Sequence, residues 1–410
     1  MNKASQRIVR TYVSLTLLST FASSFIWGIN TLFLLDAGLS VTEAFAANAF
    51  FTAGEVLFEI PTGVIADTRG RRTSFLLGTA TLFTTTLAYL WLWRSHGPFW
   101  AWACVSMLLG LGFTFFSGAT EAWLVDGLKA AKYDGSLDNV FAKGSISTGI
   151  AMLSGTIAGG LVAQFTNLGV PYIMRIIALA VTFLIAFFLM HDDGFIAKGR
   201  SGFASEMKDV VSESIEFGLR NRPVRWMMLS SSFTGGVGIF AFYAMQPYLL
   251  QLYGNNAGYA IAGVAAAVVA GAQIAGGLLV PYVSRVFKNR TSILITGLLV
   301  STIALALIGL AGNFWLVLGL LAIWAIVFAL LTPIRQSYMN GIIPSKQRAT
   351  VLSADNMLTS LGGVISQPGL GRIADVWGYP ASYIGSAAFQ LIALPFLLLA
   401  KRERAKSDRT

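Results

Sequence analysis

The chain has 410 residues, of which 55% are hydrophobic and only 12% are charged, and its mean hydropathy is +0.67. A soluble domain carries about twice that charged fraction, so the composition excludes a soluble protein and indicates an integral membrane protein. The net charge of +10 would suggest a nucleic-acid partner for a soluble protein. In a membrane protein it instead reports topology, and we expect no nucleic acid to bind.

Apolar segments recur along the whole chain, and each is close to the ~20 residues that cross a bilayer as a helix. They predict an all-α membrane protein with twelve transmembrane helices. We expect residues 1–191 and 224–410 to form two six-helix bundles, because a stretch of mixed charge separates them. The predicted spans are Thr11–Leu35, Val41–Ile65, Thr73–Trp93, Phe99–Val125, Val140–Phe165, Tyr172–Met190, Val224–Leu252, Gly258–Val283, Ser292–Ala311, Phe314–Met339, Thr350–Ala374 and Tyr383–Ala400.

Residues 192–223 are the predicted cytoplasmic linker between the bundles. Apolar side chains recur there at helical spacing while acids occupy the other face, which predicts a short amphipathic helix on the inner membrane surface. Its apolar face comprises Met207, Val210, Val211, Ser214 and Phe217.

Lys and Arg are distributed unevenly between the two sides of the membrane, to which the segments between successive spans are assigned alternately. Only Arg94, Arg175 and Arg372 fall on one side, and all other basic residues fall on the side of the termini and the linker. Cytoplasmic segments carry the excess of Lys and Arg, so we predict a multi-pass protein of the cell (inner) membrane with both termini in the cytoplasm.

The loop after the second span holds a dense group of charges between two apolar helices. The loop contains the pattern G-x-x-x-D-x-x-G-R-R, formed by Gly63, Asp67, Gly70, Arg71 and Arg72. This pattern resembles the loop signature of the major facilitator superfamily of secondary transporters. A glycine-rich run from Gly155 to Gly160 is similar to the fifth helix of the drug/proton antiporters in this superfamily.

The resemblance implies a major facilitator fold, with two bundles that rock to give alternating access. It also implies that Asp67 and Arg71 form a conformational latch with an acid at the cytoplasmic end of the fourth helix, where this chain has Asp126. A simpler alternative is that the loop arginines anchor to lipid headgroups and fix the topology.

The two halves of the chain are internal repeats. Gly63 and Arg71 recur at Gly277 and Arg285 with one and the same shift along the sequence. Parallel repeats of six helices are the arrangement of transporters that bind substrate between the repeats. We therefore predict pseudo-symmetric bundles.

Three acids lie inside predicted spans of the first half, namely Glu55, Glu59 and Glu121. An ionised carboxylate in hydrocarbon costs several kcal/mol, so such residues face the bundle interior, pair, or take up a proton. Glu55 and Glu59 share a helix face and repel each other when both are ionised. In the second half, Gln273 occupies the position related to Glu59, and Arg335 occupies the position related to Glu121. Because neither of these side chains is an acid, a coupling proton would be carried by the first half. The alternative for Glu59 is that it only braces the adjacent loop.

Polar and aromatic side chains on the first, seventh, tenth and eleventh spans are the predicted lining of the substrate cavity. Aromatic surfaces with few hydrogen-bonding groups suit a bulky, amphiphilic organic compound. The residues are Trp27, Asn30, Phe240, Tyr243, Gln246, Arg335, Gln336 and Asp355.

The chain has no G-x-x-x-x-G-K-[ST] nucleotide loop and no Cys or His residues at metal-ligand spacing, so we predict neither an enzyme nor a cofactor. The function that we predict is proton-coupled, multidrug-type efflux of a hydrophobic or amphiphilic compound by a monomer. The alternative is a proton-coupled importer or a facilitator of a small metabolite. A membrane receptor would need a soluble signalling domain, for which we expect no room after Ala400.

Overall fold

A computed structural model of the chain describes residues 3–195, 197, 212, 218–254, 258–344 and 348–409. In this part the chain is almost entirely helical, and its one strand-like pairing is an isolated bridge between Asn289 and Arg409. Apart from Ser212, the predicted amphipathic helix of the linker lies outside the described residues.

The first half of the chain forms eight helices, because two of its predicted spans are each broken in two. The helices are α1 (Lys3–Trp27), α2 (Asn30–Asp36), α3 (Val41–Arg69), α4 (Arg71–Ser95), α5 (Phe99–Thr114), α6 (Ala119–Ala130), α7 (Leu137–Phe165) and α8 (Gly169–Leu189). Thus α1 and α2 together make the first span, and α5 and α6 together make the fourth.

The described part of the second half forms six helices. They are α9 (Arg222–Tyr253), α10 (Tyr259–Val286), α11 (Arg290–Leu310), α12 (Phe314–Asn340), α13 (Arg348–Leu391) and α14 (Ala393–Arg402). A 3₁₀ turn, Lys406–Asp408, follows α14.

Twelve crossings can be traced in these helices. Ten helical stretches are long and apolar enough to cross a membrane, and α1 with α2, bent by 48°, makes an eleventh. One of the ten, Val351–Arg402, has 52 residues and is broken at Gly378 (φ 84°, ψ 165°). At a rise of about 1.5 Å per residue it is more than twice as long as the ~30 Å hydrocarbon core, so it supplies two crossings. The predicted all-α, twelve-span fold is confirmed.

The contacts within the chain define two compact units. One comprises Met1–Gly38, Phe50–Phe203 and Gly258–Ala267, and the other comprises Leu39–Ala49, Ala204–Ala257 and Val268–Thr410. The first turns of α3 belong to the second of these units, and the first turns of α10 belong to the first. Close packing accounts for both. Phe45 of α3 packs against Phe240 with 4.6 Å between the ring centroids, and a Cβ placed on Gly263 of α10 would lie 2.9 Å from the Cα of Gly160.

Each unit has its own apolar core. In the first, Leu15, Phe75 and Leu124 pack between α1, α4 and α6, and in the second, Met227, Leu294 and Ile334 pack between α9, α11 and α12. Large apolar side chains are also exposed on the outside of both units, as a lipid environment allows. The polar groups that remain inside the spans therefore stand out as candidates for function.

Candidate transport site

The charged loop between α3 and α4 is shorter than the predicted spans suggested, because the two helices are separated by Gly70 alone. The backbone of Gly70 has φ 105° and ψ 151°, a conformation that is essentially restricted to glycine. Asp67, before Gly70, and Arg71, after it, form an ion pair with 2.6 Å between Oδ1 of Asp67 and Nη2 of Arg71. The guanidinium of Arg72 donates to the carbonyl of Phe187 at 2.7 Å. The loop signature thus ties α3, α4 and α8 together.

Asp192, just after α8, also contacts this loop, although from the sequence it was expected only to belong to the linker. Its Oδ1 accepts the backbone N–H of Arg72 at 2.9 Å and so caps the first turn of α4. Burial raises the pKa of Asp192, and the nearby Arg72 and Arg71 oppose that rise only in part. A Cβ on Gly70 would lie 2.2 Å from Oδ2 of Asp192, which is a second reason for glycine there.

The second half has an equivalent cap at the start of α11. Asp408, in the turn after α14, accepts the backbone N–H of Thr291 at 2.7 Å and its hydroxyl at 2.9 Å. Asn289 adds a hydrogen bond of 3.0 Å to the same carboxylate. The segment after the last span is therefore held against the loop that opens α11.

The third member of the predicted latch, Asp126, lies on α6. In the described residues its carboxylate has neither an ion pair nor a hydrogen bond, so only Asp67 and Arg71 of the three are joined here. Gly63, the first residue of the pattern, has no atom within 4 Å of where a Cβ would lie. The three-residue latch stays a prediction.

The fourth span is broken beside the intramembrane acids. Between α5 and α6 the backbone makes tight turns through Phe116 and Ser117, and Gly118 takes the left-handed conformation at φ 65°. The hydroxyl of Ser117 donates to Oε1 of Glu59 at 2.6 Å. The break therefore directs a hydroxyl of the fourth span to a carboxylate of the second span, a contact that an unbroken pattern of hydropathy does not reveal.

The other two acids flank this contact. Glu55 lies one turn before Glu59 on α3, and Glu121 lies in the first turn of α6. Within the described part of the chain, neither Glu55 nor Glu121 has a hydrogen-bond or ion-pair partner. The predicted proton-coupling residues are thus grouped around the break, and their role remains a prediction.

The first span is broken as well, at Gly28. A Cβ on Gly28 would lie 3.1 Å from Cγ2 of Thr156 and 3.2 Å from the Cα of Gly263, so close packing by α7 and α10 favours glycine there. Asn30 opens α2, and its Oδ1 accepts the hydroxyl of Tyr172 at 3.0 Å. Discontinuous helices of this kind commonly accompany transport sites.

The second half carries a buried ion pair that the repeat pattern did not predict. Arg335 of α12 forms an ion pair with Asp355 of α13, and Asp355 is only 2% exposed. Ser231 of α9 donates to Oδ1 of Asp355 at 3.3 Å, and Thr359 in turn donates to Ser231 at 2.9 Å. Three helices are therefore joined by one polar network, in which the carboxylate is compensated by a cation.

The predicted cavity residues fall into two groups. Several are packed into the interior of their unit, and others are accessible. Asn30, Phe240, Gln246 and Asp355 are buried, whereas Trp27, Tyr243 and Arg335 are half-buried and Gln336 is exposed.

A cavity of about 280 Å³ lies between α9, α11, α12, α13 and α14 of the second half. Arg335 and Gln336 line it, and Trp324 and Phe328 provide aromatic surface. Further hydroxyl and amide groups in the lining belong to Ser230, Ser231, Thr234, Asn356, Thr359 and Gln390. A larger open groove, of about 540 Å³, lies near Asp36, Trp91 and Arg94, but none of the three intramembrane acids lines it.

The sequence matches the family model of the Major Facilitator Superfamily over residues 12–366 and 257–410. The chain belongs to the Major Facilitator Superfamily. This membership makes it a multi-pass membrane transporter of a small-molecule substrate rather than an enzyme. No curated protein sequence matches the chain.

Solved structures of superfamily members have the same fold. The nucleoside transporter NupG aligns with a TM-score of 0.78 and 12% identity, over 97% of this chain and 99% of its own. A bacterial homolog of the human lysosomal transporter Spinster, inward-facing and unoccupied, gives 0.74 and 16%, over 100% and 99%. The D-xylose-proton symporter gives 0.69 and 15%, over 96% of both chains. At these identities the likeness is one of fold.

Proposed function

We propose that this superfamily member is a proton-coupled transporter that exports a hydrophobic or amphiphilic organic compound by alternating access. The observation that supports it is the difference in intramembrane charge between the halves. Glu55, Glu59 and Glu121 have no cationic partner among the described residues, whereas Asp355 of the second half is paired with Arg335. An acid that lacks a cation can gain and lose a proton at modest cost, while an ion pair fixes the charge of both groups.

The contact between Glu59 and Ser117 suits a proton carrier. A hydroxyl can donate to an ionised carboxylate and can accept from a protonated one, so the 2.6 Å contact serves both states. Because Ser117 lies in the break of the fourth span, a change at Glu59 would act directly on a hinge between α5 and α6. This is how proton binding would reach the conformational equilibrium.

The cargo that we propose is hydrophobic or amphiphilic because aromatic side chains contribute much of the predicted lining, among them Trp27 and Tyr243, which are half-buried. The excess of basic residues on the side of the termini supports a protein of the cell (inner) membrane with both termini in the cytoplasm. We propose that a single chain is the functional unit.

A second candidate is a proton-coupled importer or a facilitator of a small metabolite. The cavity around Arg335 favours it, because several hydroxyl and amide groups surround a guanidinium there. Such a cluster suits a cargo that forms many hydrogen bonds.

Transport in proteoliposomes tests the proposal and separates the candidates. With the cytoplasmic face outward, an acidic lumen should drive accumulation of one or more amphiphilic dyes from a panel of ethidium, Nile red and fluorescein. A protonophore should abolish the accumulation. Accumulation driven only by an acidic exterior would indicate symport, and full transport on a sodium gradient alone would refute proton coupling.

A further inference from the structure

The cavity of the second half lies inside one bundle, because residues of α9, α11, α12, α13 and α14 line it and all of them belong to the same compact unit. Helices that cross a membrane seldom bring this many hydroxyl and amide side chains together without a ligand or water between them. Thr332 and Gln336 on its lining are exposed, so the cavity is open to its surroundings.

The charge of the lining is positive. Among the residues that line the cavity, Arg335 alone is charged, because its partner Asp355 lies behind it and does not contribute to the lining. Asp355 and the carbonyl of Met227 hold Nη2 of Arg335, while Nη1 of Arg335 forms no hydrogen bond in the described structure. The guanidinium is therefore fixed in position and retains unused donors, which suits an anionic group.

The rest of the lining is apolar. Trp324, Phe328 and Leu331 of α12 and Leu294, Leu298 and Leu397 of the neighbouring helices provide it. A volume of about 280 Å³ corresponds to roughly nine water molecules at ~30 Å³ each, which is the size of a molecule of about a dozen heavy atoms. A ligand that fills this cavity has an apolar or aromatic body and one charged end.

We propose that the second half binds a small organic carboxylate in this cavity, with its carboxylate on Arg335 and its body against Trp324 and Phe328. Asp355 is a positioning residue in this site, since it orients the guanidinium, and Ser231 and Thr359 hold Asp355 in turn. The proposal concerns binding and depends on neither proton coupling nor the direction of transport.

Calorimetric titration of the purified full-length protein tests the site. The probes are phenylpropionate and its neutral amide, phenylpropionamide, which have nearly the same size and shape. We expect one carboxylate to bind per chain and the amide to bind at least tenfold more weakly. Equal affinity for acid and amide, or the absence of binding by phenylpropionate, would overturn the proposal.

Variants separate a specific site from a general effect on folding. Arg335→Gln combined with Asp355→Asn removes both charges without leaving one unpaired, and it should abolish carboxylate binding. Thr332→Trp, at an exposed position of the lining, should block the cavity and give the same loss. Arg372→Gln is the matched control, because Arg372 is exposed and belongs to a loose pair with Asp375 at 3.8 Å outside the cavity.

Carboxylate binding that survives both cavity variants would refute the site. If the wild-type protein did not bind phenylpropionate but still transported dyes on a proton gradient, the carboxylate site would be refuted and the proposed function would stand. If the wild-type protein bound phenylpropionate but did not transport dyes, the proposed function would be refuted and the carboxylate site would stand.

Discussion

Asp192 caps helix α4 from a position 120 residues away from Arg72, the residue whose backbone N–H it accepts. Replacing Asp192 with Ala should cost about 1 kcal/mol of stability, the usual effect of losing a helix cap. Asn keeps an acceptor at the same place and should cost less. Thermal unfolding of the detergent-solubilised protein measures both. Equal losses in Ala and Asn would show that the charge, rather than the cap, stabilises the helix.

The same carboxylate should make stability depend on pH. Because burial raises the pKa of Asp192, the folded state takes up a proton at higher pH than the unfolded state does. The folded protein therefore gains stability relative to the Asp192→Asn variant as the pH falls through the raised pKa, down to about 4, the ordinary value for Asp. Unfolding temperatures of the two proteins across this range give the difference. A difference that stayed constant with pH would contradict the assignment.

Two glycines of the loop signature offer a matched pair of substitutions. Gly70→Ala places a Cβ in a glycine-only conformation and 2.2 Å from Oδ2 of Asp192, so it should destabilise by roughly 1–3 kcal/mol. Gly63→Ala has open space at that position and should have little effect on stability. Unfolding temperatures compare the two variants, and a larger loss for Gly63→Ala would be inconsistent with the geometry.

Replacing the three intramembrane acids of the first half should affect proton-driven transport, whereas replacing an exposed acid outside the spans should not. Glu55→Gln, Glu59→Gln and Glu121→Gln remove a titratable group without changing its size, so at least one should abolish uphill, proton-driven transport while retaining downhill exchange. Asp134→Asn, at an exposed position between α6 and α7 of the same half, is the control and should leave both activities intact. Vesicle transport with and without a pH gradient distinguishes the two activities. If all three Gln variants retained uphill transport, the proton would have to be carried elsewhere.

The ion pair of the second half should show strong coupling between its members. Arg335→Gln leaves the buried carboxylate of Asp355 without a cation, which costs about 3–5 kcal/mol in comparable sites. Removing both charges, with Arg335→Gln and Asp355→Asn together, should restore much of that loss. A double-mutant cycle from thermal unfolding measures the coupling. Additive effects would mean that the two groups do not depend on each other.

The sequence predicted the number of crossings and the place of the charged loop because both depend on local composition. Hydropathy over about 20 residues marks a span, and a short motif marked the loop from Gly63 to Arg72. The breaks at Gly28 and Gly118 escaped prediction because hydropathy continues across them and the chain has 42 glycines, most of them in ordinary helix packing. Gly28 is distinguished by its close packing neighbours and Gly118 by its left-handed backbone, and neither feature is visible in the hydropathy of the sequence.

Contacts between distant residues were the other features that the sequence did not predict. Asp192 lay in a stretch assigned to the linker, and nothing near it in sequence indicates that it caps α4. Arg335 and Asp355 lie on different helices, and the repeat pattern compared Arg335 with an acid of the first half instead. Such pairs depend on how helices pack, which periodicity within one helix does not specify.

Asp192 and Asp408 occupy equivalent places in the two halves, each after the sixth helix of its repeat and each bonded to the first turn of the third helix. The residues around them differ in part. Arg71 and Arg72 accompany the first carboxylate, whereas Asn289 and Thr291 bond the second. Arg290 bonds the backbone carbonyls on either side of Asp408 rather than its carboxylate. A contact that persists while its surroundings diverge points to common descent. The simplest history is that an ancestral six-helix unit already closed its third and sixth helices with an aspartate, and that duplication of its gene copied this closure into both halves.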